Sequence, residues 1–395
     1  MRPIDAPPEE TAPKRAKARL RAASSGALVV SSASTLGAAS VLALLTTSAP
    51  DEAARNRAFA LFGAVSSGGA SIGLILGGLL TDVGSWRWTL FINVPLGIAV
   101  LLLVRRFVDE TPRRPGRFDL VGAASATTGA VSLVWALIGA PEHGWTSART
   151  IGGFVLGAAL LLLLARTETR HPHPMVQPHL VRSRRRIGAL AAMALVIGAN
   201  LSMFFLVVQY VQRVLGYGPL ASGFAFLPFS LGIFAMSRIT PWLIGRVGPR
   251  AMLMTGTAAL TVGYAWLSSA GTGDTYLGAV FGPMLIAGLA TGLVFMPITV
   301  TVLAGVEHEH AGSASGLLQT TQQLGSAVGV AVIVSVYAAG AVPGQVVPGL
   351  QAAFLTSAGF AALALLVAAT VLRTPRTAVE ATVVDPEQEV AAEAA

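Results

Sequence analysis

A chain that alternates apolar runs of about twenty residues with short arginine-bearing segments can fold in very few ways. The apolar runs fall at about 26–48, 58–81, 87–104, 119–139, 150–166, 187–210, 219–241, 250–270, 276–304, 312–338 and 350–373. A helix that crosses the hydrocarbon layer, about 30 Å thick, needs about 20 mostly apolar residues at 1.5 Å each. About eleven spans are therefore expected, the second and third joined only by the tight turn Asp82-Val83-Gly84-Ser85. Composition agrees: only 12% of residues are charged, about half the usual share in a soluble domain. Cysteine is absent, which excludes disulfide frameworks, thiolate metal sites and thiol nucleophiles.

The arginines set the expected orientation. Alternate connecting segments put Arg55, Arg57, Arg105, Arg106, Arg113, Arg114, Arg117, Arg166, Arg170, Arg182, Arg184, Arg185, Arg186, Arg246, Arg250, Arg373 and Arg376 on one side. Arg87, Arg149 and Arg213 fall on the other. Short arginine-rich loops stay cytoplasmic. The expectation is a multi-pass plasma-membrane protein with its C-terminus inside and the lipid bilayer as its constant partner. The net charge of +8 is then a topology signal and implies no nucleic-acid partner. Residues 1–25, which hold Lys14 and Lys17, are polar, basic and Pro-rich, and are expected to be disordered. A signal peptide is the other reading of this segment, but it is long and mixed for a basic leader.

The segment "SWRWTLFINVPLG" (85–97) marks the outer boundary. Trp86 and Trp88 suit the lipid–water interface, where an indole buries its ring and hydrates its N–H. Arg87 can snorkel to headgroups. Pro95 predicts a kink a turn or two into the span, and Asn93 can bond across helices or to the freed backbone. Gly69, Gly73 and Gly77 recur at i, i+4 and i+8. They make a helix face that serves either close packing or a surface that slides or seals.

Polar groups inside the spans are mostly amides. Asn200, Gln209 and Gln212 lie on the sixth span, and Gln319, Gln322 and Gln323 on the tenth. Beside aromatics such as Phe204, they suit either a small amphipathic organic substrate or interhelical hydrogen bonding. Asn200, Phe204, Gln209, Gln319 and Gln323 are the expected substrate contacts. No Asp or Glu falls near the middle of a span, although proton coupling needs a carboxylate whose pKa shifts with access. The nearest proton-site candidate is Asp119, at a helix start, where the dipole favours its charged form. "HPHP" (171–174) and "EHEHAG" (307–312) lack the helical His pair of a zinc site. No nucleotide-binding loop or nucleophile elbow occurs, so neither an enzyme nor any cofactor is expected.

From Arg55 onward the chain resembles the major facilitator superfamily, in its fourteen-span drug:proton antiporter branch. "GGASIGLILGGLLTD" is similar to that branch's antiporter motif. Gly69, Gly73, Gly77 and Gly78 match its spacing, and Leu74 stands where proline is usual. "SWRWTLFINVPLG" follows directly, as the branch requires. "GRFDLVGA" (116–123), "LGYGPLASGFAFLP" (215–228) and "AGSASGLLQTTQQLGSAVGVA" (311–331) fit later parts in order. "PWLIGRVGPRAML" (241–253) echoes the first-loop signature, with Gly245 in place of the aspartate.

The resemblance implies an all-α polytopic membrane protein of major facilitator fold with about eleven transmembrane helices. They divide into an incomplete first bundle, two linker helices and a complete second bundle. The expected organisation is a basic tail (1–25), a partial amino-terminal bundle (26–104), linker helices and cytoplasmic loops (105–186), a six-helix bundle (187–373) and an acidic tail (374–395). The spans correspond to the branch's fourth to fourteenth. The first three, one of which carries its key carboxylate, have no counterpart. The implied function is export of amphipathic organic compounds or drugs in exchange for protons by alternating access, impaired in this chain by the missing spans. A non-transporting membrane remnant or interaction protein is the alternative.

Overall fold

The computed structural model describes residues 69, 72–73, 75–107, 120–168, 183–306, 311–340, 342 and 345–371. The expected first span (26–48), Asp119, both histidine segments and both tails lie outside these residues. Apart from one isolated bridge between Val342 and Gln345, the described residues form helices and turns.

Helix α1 covers 75–83 and ends at the Gly84 turn. The Ser85 side chain then caps α2 (Trp86–Phe91), accepting from the Arg87 N–H. Helix α3 (Asn93–Phe107) follows after a break at Ile92. Pro95 stands in the first turn of α3, three residues after this break, and Asn93 bonds within its own chain. Its Nδ2 donates to the carbonyls of Thr89 (3.1 Å) and Leu90 (3.2 Å). Helices α4 (Leu120–His143) and α5 (Ala148–Glu168) form an antiparallel pair. It turns at Gly144, whose φ of 91° suits glycine.

Six further helical units pack as one bundle. They are α6 (Arg184–Arg213), α7 (Pro219–Phe224) running on into α8 (Leu227–Val247), α9 (Pro249–Leu267), a π-helical turn (Leu277–Phe281) leading into α10 (Gly282–Leu303), α11 (Ala311–Ala339) and α12 (Val347–Val371). Five of the described units are long and apolar enough to cross a membrane: Arg184–Arg213, Pro219–Val247, Leu277–Leu303, Gly312–Ala339 and Val347–Val371.

Small residues hold this bundle together. A Cβ on Gly198 of α6 would lie 2.7 Å from the Gly325 carbonyl of α11, and one on Gly232 of α8 would lie 2.6 Å from the Leu289 nitrogen of α10. Lipid gives helices no hydrophobic reason to associate, so contact that only glycine permits supplies the packing. The outer faces stay apolar and exposed, as at Leu355 and Leu366, because their solvent is lipid.

Hydrogen bonds mark two opposite ends. At one, Tyr210 donates to the Gly271 carbonyl (2.9 Å), Tyr276 to Ala225 (3.0 Å) and Gln351 Nε2 to Ala270 (3.0 Å). At the other, buried Arg186 donates from Nε to the Val302 carbonyl (2.9 Å) and from Nη2 to Ala304 (3.1 Å). Arg250 Nη2 donates there to Ala369 (3.0 Å). Each arginine thus meets carbonyls at the carboxyl end of a neighbouring helix, where the dipole favours a cation.

Candidate functional site

Two helices that are far apart in sequence meet at the Tyr210 end. On α1, Gly78 and Asp82 are four residues apart and share a face. A Cβ on Gly78 would lie 2.8 Å from the Pro219 carbonyl and 2.9 Å from the Leu220 Cα. One turn on, the Asp82 carboxylate accepts from the Leu220 N–H at 3.1 Å. Glycine lets the backbones touch, and the acid satisfies an amide in the first turn of α7 that has no partner within its own helix.

The other motif glycines make no such contact. Gly69 and Gly73 have nothing within 4 Å of an added Cβ, and Gly77 meets only the Thr89 methyl at 4.0 Å. The expected face of Gly69, Gly73 and Gly77 is thus open among the described residues, and the close approach is at Gly78. Trp86 and Trp88 are exposed beside the junction, with the Arg87 guanidinium 5.5 Å from the Trp86 ring centroid.

The expected substrate contacts divide into separate groups. Asn200 is buried inside the six-helix bundle, where its Oδ1 lies 2.9 Å from the donating Tyr264 hydroxyl and 3.2 Å from the Thr291 hydroxyl. Its Nδ2 is buried with no partner among the described residues. Phe204 stacks on Phe226 (5.0 Å between centroids) and meets Phe229 edge-on (5.1 Å). Gln209 and Gln319 are half-buried, and Gln323 is exposed. On α6, Gly198 faces α11, and Asn200 lies two residues on, about 200° around the helix. Asn200 therefore points to α9 and α10, away from the glutamines of α11.

One charged group of the six-helix bundle has no counterpart among the expected site residues. Arg238 lies inside the Pro219–Val247 span, exposed, with its guanidinium 5.4 Å from the Phe234 ring centroid. The sequence signal was a lone arginine within an apolar run, which is costly in a membrane and usually functional.

The sequence profile of the Major Facilitator Superfamily matches residues 23–330. The chain belongs to the major facilitator superfamily. As a member of this superfamily of transporters, it is a multi-pass membrane protein. It is 34% identical over 329 residues to the cephamycin export protein CmcT of Amycolatopsis lactamdurans, a match covering 81% of this chain and 68% of that one. It is 35% identical over 300 residues to the puromycin resistance protein pur8 of Streptomyces alboniger, covering 75% and 59%. The chain thus spans about three fifths to two thirds of the length of these major facilitator relatives. The crystal structure of the nucleoside transporter NupG covers 89% of the chain at 15% identity and a TM-score of 0.43.

Proposed function

We propose that these helices belong to a proton-coupled exporter of amphipathic organic compounds that works by alternating access. The arginine-rich end lies in the cytoplasm and the Trp86 end faces outward. The observation that carries this reading is the Gly78–Asp82 junction with Pro219–Leu220. It is a small, polar, water-accessible contact between α1 and the six-helix bundle, at one end among the described residues. A contact of that kind closes a central path from one side and can open without breaking a hydrophobic core. The relatives' names, export and resistance proteins, support organic compounds as cargo. Detergent-purified chain in vesicles tests the reading: an imposed pH gradient should drive efflux of an aromatic dye and be dissipated by it.

A second reading, a membrane remnant or interaction protein without transport, is favoured by α2 and α3. Leu90, Phe91, Val94, Leu96, Ile98, Val100, Leu101 and Leu102 are all exposed, so this segment is without close packing partners among the described residues. Folded chain that shows a cooperative thermal transition yet moves no dye would establish this second reading.

A further inference from the structure

We propose that Arg238 recognises the anionic group of the cargo and so selects amphipathic compounds that carry a carboxylate beside an apolar body. This rests on the export reading above and names its substrate class.

The side of the helix on which Arg238 sits follows from its neighbours. Helix α8 packs into the bundle through Gly232, Met236 and Thr240, and the Thr240 hydroxyl donates to the Gly292 carbonyl of α10 at 3.2 Å. Arg238 is two residues from both Met236 and Thr240, and so lies on the opposite side of the helix. Helices α7 and α8 are interrupted at Ala225–Phe226, and the eighteen residues from Leu220 place Arg238 toward the opposite end of the Pro219–Val247 span. Arg238 therefore stands on the face of α8 turned away from α10, in the span whose first turn α1 touches.

The surroundings of Arg238 fit an aromatic anion. Leu231, Phe234 and Trp242 lie on the same exposed stripe of α8. Among the described residues it has no hydrogen bond or ion pair. In the described part of the six-helix bundle the one acid is Asp274, which accepts from the Gly271 N–H at the opposite end. A guanidinium within the span and without an internal carboxylate is a ready fork for a carboxylate from outside the protein.

A lipid headgroup fits less well. Helical side chains lean toward the helix N-terminus, and the Arg238 guanidinium accordingly lies over Phe234, one turn deeper. It points away from the Arg246 end, where headgroups would be, so it does not snorkel to the near surface.

The test compares pyrenebutyric acid with its uncharged methyl ester as ligands of the purified full chain, read by pyrene fluorescence. The native chain should bind the acid roughly tenfold or more tightly than the ester, the effect of one charge-assisted pair. R238Q should remove that preference while leaving ester affinity and the thermal transition unchanged, and R238K should keep part of it. An unaltered preference in R238Q, no preference in the native chain, or equal loss of both ligands would overturn the proposal. So would an effect of R238Q confined to vesicles containing phosphatidylglycerol, which would assign the residue to lipid. Preference in binding without any dye efflux would refute the export reading while leaving this assignment standing.

Discussion

Asp82 and Leu220, 138 positions apart, are joined by a hydrogen bond of 3.1 Å from the Leu220 amide to the Asp82 carboxylate. This bond and the Gly78 approach beside it make the junction on which the proposed gating depends. Because Asp82 is exposed, water competes for the amide and the contact is weak enough to break in each cycle. Asp82→Ala should raise the alkylation rate of a single cysteine placed at Leu220 by about threefold to tenfold, equivalent to one ordinary hydrogen bond. Asp82→Asn, which retains an acceptor, should have a smaller effect. An unchanged rate in Asp82→Ala would show that the bond does not hold the junction closed.

Gly198 is expected to be intolerant of any side chain. Its Cβ would meet the Gly325 carbonyl at 2.7 Å and the Gly329 Cα at 3.0 Å, both backbone atoms that cannot rotate away. Gly198→Ala should cost about 1–3 kcal/mol, as overpacking does. Gly69→Ala, which meets nothing within 4 Å, should be nearly neutral. Thermal unfolding in detergent distinguishes the two, and equal transition temperatures would contradict the α6–α11 packing.

Asn200 and Tyr264 form a buried pair whose parts depend on each other. Asn200→Leu leaves the Tyr264 hydroxyl without its acceptor and should destabilise by about 1–3 kcal/mol. Adding Tyr264→Phe to that variant should restore part of the loss, because no orphaned donor remains. A double variant as unstable as the sum of the single changes would show that the hydrogen bond contributes nothing specific.

The span positions of the six-helix bundle were legible in the sequence. Runs such as 187–210 and 276–304 are bounded by arginine or turn residues, and the helices at Arg184–Arg213 and Leu277–Leu303 match them within a few residues. What lies opposite a face was not legible. Gly69, Gly73 and Gly77 share a face by spacing, but only the partner helix determines that, among the described residues, Gly78 is the one touched. Spacing also could not show that Asn200 turns inward to Tyr264 while Gln323 stays exposed. Arg238 was hidden by its setting: averaged over an apolar run, one charge barely changes the hydropathy.

Arg186 fastens the start of α6 to the end of α10. Arg186→Ala should destabilise the chain by about 2–3 kcal/mol, because the Val302 and Ala304 carbonyls both lose a charged donor. Lysine, a point charge without the planar fork, should recover less than half of that loss. A lysine variant as stable as the native chain would show that charge alone suffices at this end.

The central claim is that the junction between Asp82 and Leu220 must open for cargo to pass. The native chain contains no cysteine, so a D82C/L220C variant carries one pair only. Dye efflux from vesicles should stop when that pair is oxidised to a disulfide and return when it is reduced, with either single-cysteine variant indifferent to both treatments. Undiminished efflux through the oxidised, cross-linked protein would contradict the account.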